Sequence, residues 1–217
     1  RLEAQKFFET QLKLQNRQQQ AAAEYGLAYL ALKRGELPKA AEWLAKARAT
    51  MKPVSGAVFS TGQSASDGGA VFAALDLEIK LAPGQPASIA AQTIKDAEQA
   101  HDKFPLSRGI ARQYADAMIA GGQLEQAATY LREQVRQYKE ESKLYDLLAK
   151  AYAAQGKFSL QHIALAESYV LAGALPAAVD QLGIARKAPD ASFYDLALID
   201  ARERLDFLAV RDLACAD

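Results

Sequence analysis

The chain is short of the residues that most small-site chemistries require. Cys215 is the only cysteine among 217 residues, so no internal disulfide and no cysteine-based metal cluster can form. Histidine occurs twice, at His101 and His162, too far apart in sequence for a zincin helix, which needs two histidines four residues apart with a glutamate beside the first. Phosphate-loop, dinucleotide-loop and nucleophile-elbow patterns are missing, and the paired glycines at 68–69 and 121–122 lack a phosphate-loop context. No apolar run reaches the roughly 18 residues that span a bilayer. No alternating pattern of strand type extends beyond a few residues. The chain starts at Arg1 with no visible signal peptide, which reads as a mature form or a piece of something longer.

Charge of one sign is also lacking. The 26 basic and 26 acidic residues cancel, which removes any general electrostatic reason to bind nucleic acid or acidic lipid. Half of the residues are hydrophobic, enough for a packed core. Residues 1–50 lean basic and residues 158–217 lean acidic, the pattern of solvated helix faces.

What the sequence does contain is a repeat. Segments GELPKAAEWLAKAR from Gly35, GQLEQAATYLREQV from Gly122 and GALPAAVDQLGIAR from Gly173 align without gaps. Each has Leu two residues after the Gly, Ala five after and Leu nine after. Twelve after, two copies have Ala47 and Ala185, and the middle copy has Gln134. Pro38 and Pro176 suit the first helical position, where a missing N–H costs nothing. Seven residues before Gly35, Gly122, Gly156 and Gly173 stand Ala28, Ala115, Ala149 and Ala166. The unit is therefore helix, Gly turn, helix, with alanine where the axes approach. Gly122 to Gly156 is 34 residues, a full tetratricopeptide period. Gly156 to Gly173 is half of that, so one helix closes a repeat and opens the next.

The spacing predicts helices over 2–18, 21–34, 38–51, 70–82, 86–103, 107–120, 123–138, 142–155, 159–172, 176–187 and 192–208. Ser- and Gly-rich composition predicts an irregular insert over 53–69 that is cut first by proteases. The last helix leaves the Gly/Ala register and carries more charge, as a cap with a polar outer face would. The expected architecture is an all-α solenoid of helical hairpins with a C-terminal capping helix. Residues 1–20 form an N-terminal helix leading from a further domain, and 21–217 form the superhelix.

His162 and Glu167 share a predicted helix but lie five residues apart, about 140° around it, so they cannot hold one ligand. His162 falls where Tyr145 stands in the preceding copy, a position that packs between helices.

The repeat resembles the tetratricopeptide (TPR) family over residues 21–187. That resemblance implies that first helices line a concave, partner-binding groove. Carried over position by position, the groove holds Tyr25, Tyr29, Lys33, Arg112, Asp116, Lys143, Asp146, Lys150, Ile163, Glu167 and Val170. Such a mix of polar and aromatic side chains suits extended or helical peptides. Arg112 and Asp116 stand where carboxylate-clamp relatives carry Lys and Asn, which disfavours capture of a C-terminal carboxylate.

Residues 145–202, from YDLLAKAYAAQG to FYDLALIDAR, resemble the C-terminal repeat region of bacterial BepA-type (β-barrel assembly-enhancing) HExxH zinc metalloproteases. The resemblance implies a periplasmic location and a separate protease domain that alone carries zinc. It also implies contacts with that domain and with outer-membrane protein assembly components or their substrates. This chain has no HExxH, so it is expected to be non-catalytic, without a cofactor, without nucleic acid and without membrane insertion. The alternative is a free-standing TPR adaptor or scaffold, and an upstream reading frame with HExxH separates the two.

Overall fold

The computed structural model describes residues 2–13, 16–51, 69–83 and 88–214. Among them, every regular element is an α-helix, and there are eleven: α1 Leu2–Gln11, α2 Arg17–Lys33, α3 Leu37–Met51, α4 Gly69–Lys80, α5 Ser88–Lys103, α6 Arg108–Ala120, α7 Leu124–Gln137, α8 Ser142–Ala154, α9 Phe158–Leu171, α10 Leu175–Arg186 and α11 Phe193–Ala214. The expected all-α class holds. The insert expected at 53–69 lies outside the described residues apart from Gly69, which opens α4.

Four glycines mark the hairpin turns. Gly35, Gly122, Gly156 and Gly173 have φ of 74°, 79°, 73° and 74°, the left-handed region that a side chain enters at a cost. Each ends its helix in the same way. The N–H of the following residue reaches back five positions, as from Lys157 to the Tyr152 carbonyl at 2.9 Å and from Gln123 to the Met118 carbonyl at 2.8 Å. This is the Schellman closure, and it satisfies carbonyls that the helix end would leave bare. The next helix then starts two residues after the Gly in all four copies, so only three residues separate the paired helices.

The alanines of the repeat sit at the helix crossings. Ala28, Ala115, Ala149 and Ala166 are buried, as are Ala40, Ala127 and Ala178 of the second helices. Leu44, Leu131 and Leu182 fill the layer beside them. Each such leucine contributes about 1.5–3 kcal/mol of burial. Gln134, which replaces the small residue of the other copies, is half-buried, whereas Ala47 and Ala185 are fully enclosed.

The chain divides into two compact units, Arg1–Tyr114 and Ala115–Asp217, with the division inside α6. In the first, α2 packs on α1, α3 and α4, and α4 packs on α5. Its core joins Ala28, Leu32, Leu44, Phe72, Leu75 and Ile79. The Lys80 ammonium ties α4 to α5, contacting Asp76 at 2.8 Å and Asp96 at 2.6 Å. In the second unit, α9 packs on α8, α10 and α11. It thus serves both neighbours, as the half period requires. Its core joins Ile163, Ala166, Ala178, Leu182, Ala185 and Ile199.

Three expectations need correction. The helix expected over 2–18 is broken: the Asn16 side-chain oxygen accepts from the N–H groups of Gln18 and Gln19, capping α2 and starting it at Arg17. The α1 helix before it folds back on α2, with the Phe8 ring over Gly26, where a Cβ would meet ring atoms at 2.5–2.7 Å. The repeat's second helices start earlier than their prolines suggest, since Pro38 and Pro176 follow Leu37 and Leu175 inside the first turn. Their N–H would be unpaired there too. The outer face of α11 is apolar in its first half, where Phe193, Tyr194 and Leu198 are exposed. A capping box sets this start: Ser192 Oγ accepts from the Asp195 N–H, and the Asp195 carboxylate accepts from the Ser192 N–H.

Replacing Ala127 or Ala178 with Leu should overpack its crossing and destabilise the chain by about 1–3 kcal/mol in urea unfolding. Gly156→Ala meets no atom within 4 Å, so its cost is purely the left-handed backbone, about 1–2 kcal/mol, and Gly156→Asn should recover part of it.

The triad at Lys80 has a pH signature. Burial works against the Asp96 carboxylate, but Lys80 and Gln92 hold it below its ordinary range. A folded pKa below the unfolded one gives stability present above about pH 4 and lost as the pH falls through the folded value. The stability gap between the wild type and Asp96→Asn should therefore close under acid unfolding below about pH 4, and an undiminished gap would remove this account.

Candidate partner-binding surface

The groove residues expected from sequence divide between the two units, and each set is built differently. In the first unit, Tyr25, Tyr29 and Lys33 follow one another at four-residue spacing along α2. The Lys33 ammonium lies 2.8 Å from the Glu78 carboxylate of α4 and 4.9 Å over the Tyr29 ring. The hydrogen bond that it donates to Glu78 raises the Lys33 pKa. Tyr25 leans on Phe72 at 6.0 Å between ring centres, and burial, then the Glu78 charge, raise its phenol above the ordinary value. Tyr29 keeps 42 % of its surface exposed, so it remains available to a partner. Arg112 is half-buried on α6.

In the second unit, the expected residues bond to one another or to the next helix. Asp116 of α6 pairs with Lys150 of α8. Asp146 of α8 accepts a hydrogen bond from the Ser168 hydroxyl of α9. Glu167 of α9 pairs with Arg202 of α11 at 2.6 Å, which leaves the glutamate 19 % exposed. These contacts link α6, α8, α9 and α11 along one face, each across a single helix-to-helix step. Lys143 is exposed and forms no ion pair with any described residue. Val170 is half-buried against the core.

Ile163 does not belong to this surface. It is 7 % exposed and lies in the core with Ala166 and Leu182, so it supports the face from behind. The error comes from α9 itself, which is covered by α8, α10 and α11, so its apolar residues have more than one core to face.

Three partners of the surface residues escaped the sequence reading: Glu78, Ser168 and Arg202. A signal for Arg202 was present. It stands 35 residues after Glu167, as Lys150 stands 34 after Asp116. Residues one repeat apart occupy equivalent places on neighbouring hairpins, so opposite charges at that spacing can meet. Other contacts follow the same spacing: Lys157 to Glu125 (32 residues), Gln155 to the Leu124 carbonyl (31), and the Ser159 N–H to Asp190 (31). Tyr145 is half-buried beside the Glu167–Arg202 pair. Its burial and the Glu167 charge raise its phenol, while the Arg202 guanidinium pulls it back.

His162 is a packing residue. Its Nδ1 lies 2.7 Å from the Gln181 side-chain oxygen of α10, an interhelical hydrogen bond with no connection to Glu167. His101 lies against the Tyr114 ring at 5.4 Å. Among the described residues, no three His, Cys, Asp or Glu side chains converge in a way that could hold a metal ion. None of the described helices is long and apolar enough to cross a membrane.

Arg202→Ala should remove the cation that pairs with the Glu167 carboxylate. The loss should be about 1 kcal/mol for a pair still open to solvent. It should also raise the Tyr145 phenol further, because a cation that favoured the phenolate is gone. Titration of ring-labelled tyrosine by NMR reads that shift, and an unmoved Tyr145 would separate it from the pair.

No protein-family model matches the chain. Its sequence is similar to the β-barrel assembly-enhancing protease of Escherichia coli strain K12 and to that of Shigella flexneri, 30 % identical over 187 residues in each case. The match covers 86 % of this chain but 34 % of each relative, so the chain spans about a third of the length of the curated proteins it resembles.

Proposed function

We propose that the chain is a non-catalytic TPR-type protein-interaction module of a periplasmic zinc metalloprotease, one that contacts the protease domain and outer-membrane protein assembly components or their substrates. The observation that carries this reading is the similarity to β-barrel assembly-enhancing proteases over 187 residues. The Gly-closed hairpins support it, because they put first helices side by side with a polar and aromatic face. The sequence contains no HExxH, and the described carboxylates and histidines bring no three donors together. The zinc and the hydrolytic step belong, on this reading, to a protease domain that this chain would orient or supply with partners. Surface-exposed Phe193 and Tyr194 on α11 fit such a docking role, since aromatic side chains anchor protein contacts well.

The inner face of the second unit also constrains how a partner is held. Its charges are largely spent on one another, so long-range attraction of a strongly charged partner is weak. Hydrogen bonding to an extended segment and contact with half-exposed side chains such as Tyr145 are the better-suited forces.

Binding of the purified chain to purified β-barrel assembly components tests the proposal, by interferometry at physiological salt. Weak, reversible binding is expected. Lys143→Glu should reduce it about threefold or more without changing Tm, because Lys143 has no ion pair to lose. Reversal at Lys150 is less informative, since it would also set two carboxylates against each other at Asp116. If Arg132→Glu on the second helix α7 abolishes binding and Lys143→Glu leaves it intact, the inner face is the wrong surface. If no assembly component binds, the free-standing adaptor reading takes precedence.

A further inference from the structure

The first unit contains a cleft of about 530 Å³ between α3, α4 and α5. Phe72, Ala73 and Leu77 of α4 give it an apolar floor, and Asp76 and Lys80 of the same helix add an ion pair beside it. Phe72 and Leu77 are buried, at 7 % and 1 % exposed. Met51 of α3 forms one wall, and Ala100 of α5 and Phe104 just after it form the other. Two of the lining side chains, Ala73 and Ala100, are alanines. The volume lies in the range of sites that enclose a ligand of a few rings or a bulky side chain with its flanks.

Charge is distributed unevenly around this apolar floor. Lys80 is held by two carboxylates, Asp76 and Asp96. Arg48 approaches Asp76 at 3.7 Å and donates to the Phe72 carbonyl at 3.2 Å. Lys103 stands at the mouth with its ammonium 5.2 Å over the Phe104 ring, and it forms no ion pair with any described residue. Three cations against two carboxylates leave one positive charge in excess, and Lys103 is where that charge is uncompensated. A ligand matching this cleft has an apolar ring for the floor and one negative group for the mouth.

We propose that the cleft receives an aromatic side chain from an extended segment of a partner protein, with an acidic residue beside it meeting Lys103. An open cleft suits a side chain presented on a polypeptide, which enters from the side and leaves its backbone in solvent. The site shares no residue with the inner-face surface of the second unit, so the two stand or fall separately.

Titration of the full 217-residue chain by NMR with acetyl-Gly-Asp-Phe-Gly-amide tests this, beside the same peptide carrying Asn or Lys in place of Asp. The Asp peptide should move the amide signals of Ala73, Leu77 and Ala100. The Asn peptide should bind about threefold more weakly, as expected for losing one exposed charge contact, and the Lys peptide more weakly still. Lys103→Glu, a change of an exposed side chain that leaves the core alone, should reverse that order. Ala73→Leu should fill the cleft and abolish the shifts at Ala100 while the far signals of α9 and α10 stay in place. Equal affinity for the three peptides, an order unchanged by Lys103→Glu, or shifts centred on Lys143 and Tyr145 would each overturn the proposal. So would Lys103→Glu acting on self-association of the chain in sedimentation while peptide binding is unchanged.

Discussion

The structure depends on how closely two antiparallel helices can approach through alanine. A larger side chain at Ala28, Ala115, Ala149 or Ala166 would push the second helix away and open the layer that Leu44, Leu131 and Leu182 fill. The Gly turn is tied to the same constraint. A left-handed residue closes the helix within one turn and returns the chain in three residues, too short a span to allow a wide hairpin. Close helices and tight turns therefore require each other. This is why the Gly and the two alanines recur together in the sequence.

Once the hairpins are closed, the exposed edges of neighbouring first helices lie within side-chain reach. Charged residues there can bond across the step, as Lys33 does with Glu78 and Glu167 does with Arg202. Such pairs lie open to solvent and add little stability on their own. They fix the rotamers of the side chains they join and consume their charge, which leaves a mixed surface with fewer free ions. The cleft beside α4 has the opposite character: an apolar floor and one cation left over. The molecule therefore offers two chemically distinct surfaces, and each would select a different kind of segment.

The repeat period was legible because it is local. Gly, Leu, Ala and Leu at fixed offsets report backbone conformation and burial within a single hairpin, and neither depends on distant residues. The surface was only partly legible. Tyr25 and Lys33 were named from the register, but their partners Phe72 and Glu78 sit about 45 residues downstream, across a stretch whose length breaks the period. Ile163 was misplaced because α9 has three neighbours, and a register drawn from one hairpin cannot show a third. The break at Asn16 was missed for another reason. Residues 2–18 carry helix-favouring side chains throughout, and a single capping hydrogen-bond pair outweighed their propensity.

The sequence alone determined that this chain is all-α and built from Gly-closed hairpins. Those properties follow from residue identity and short-range spacing. Tertiary structure decided which polar residues are spent on each other and which remain free. It turned His162 toward Gln181, covered Glu167 with Arg202, and left Lys103 uncompensated above an apolar floor. The physical reason is that the energy of a charge depends on what lies within a few ångströms of it. In this chain several of those neighbours come from the next hairpin, about a repeat away in sequence.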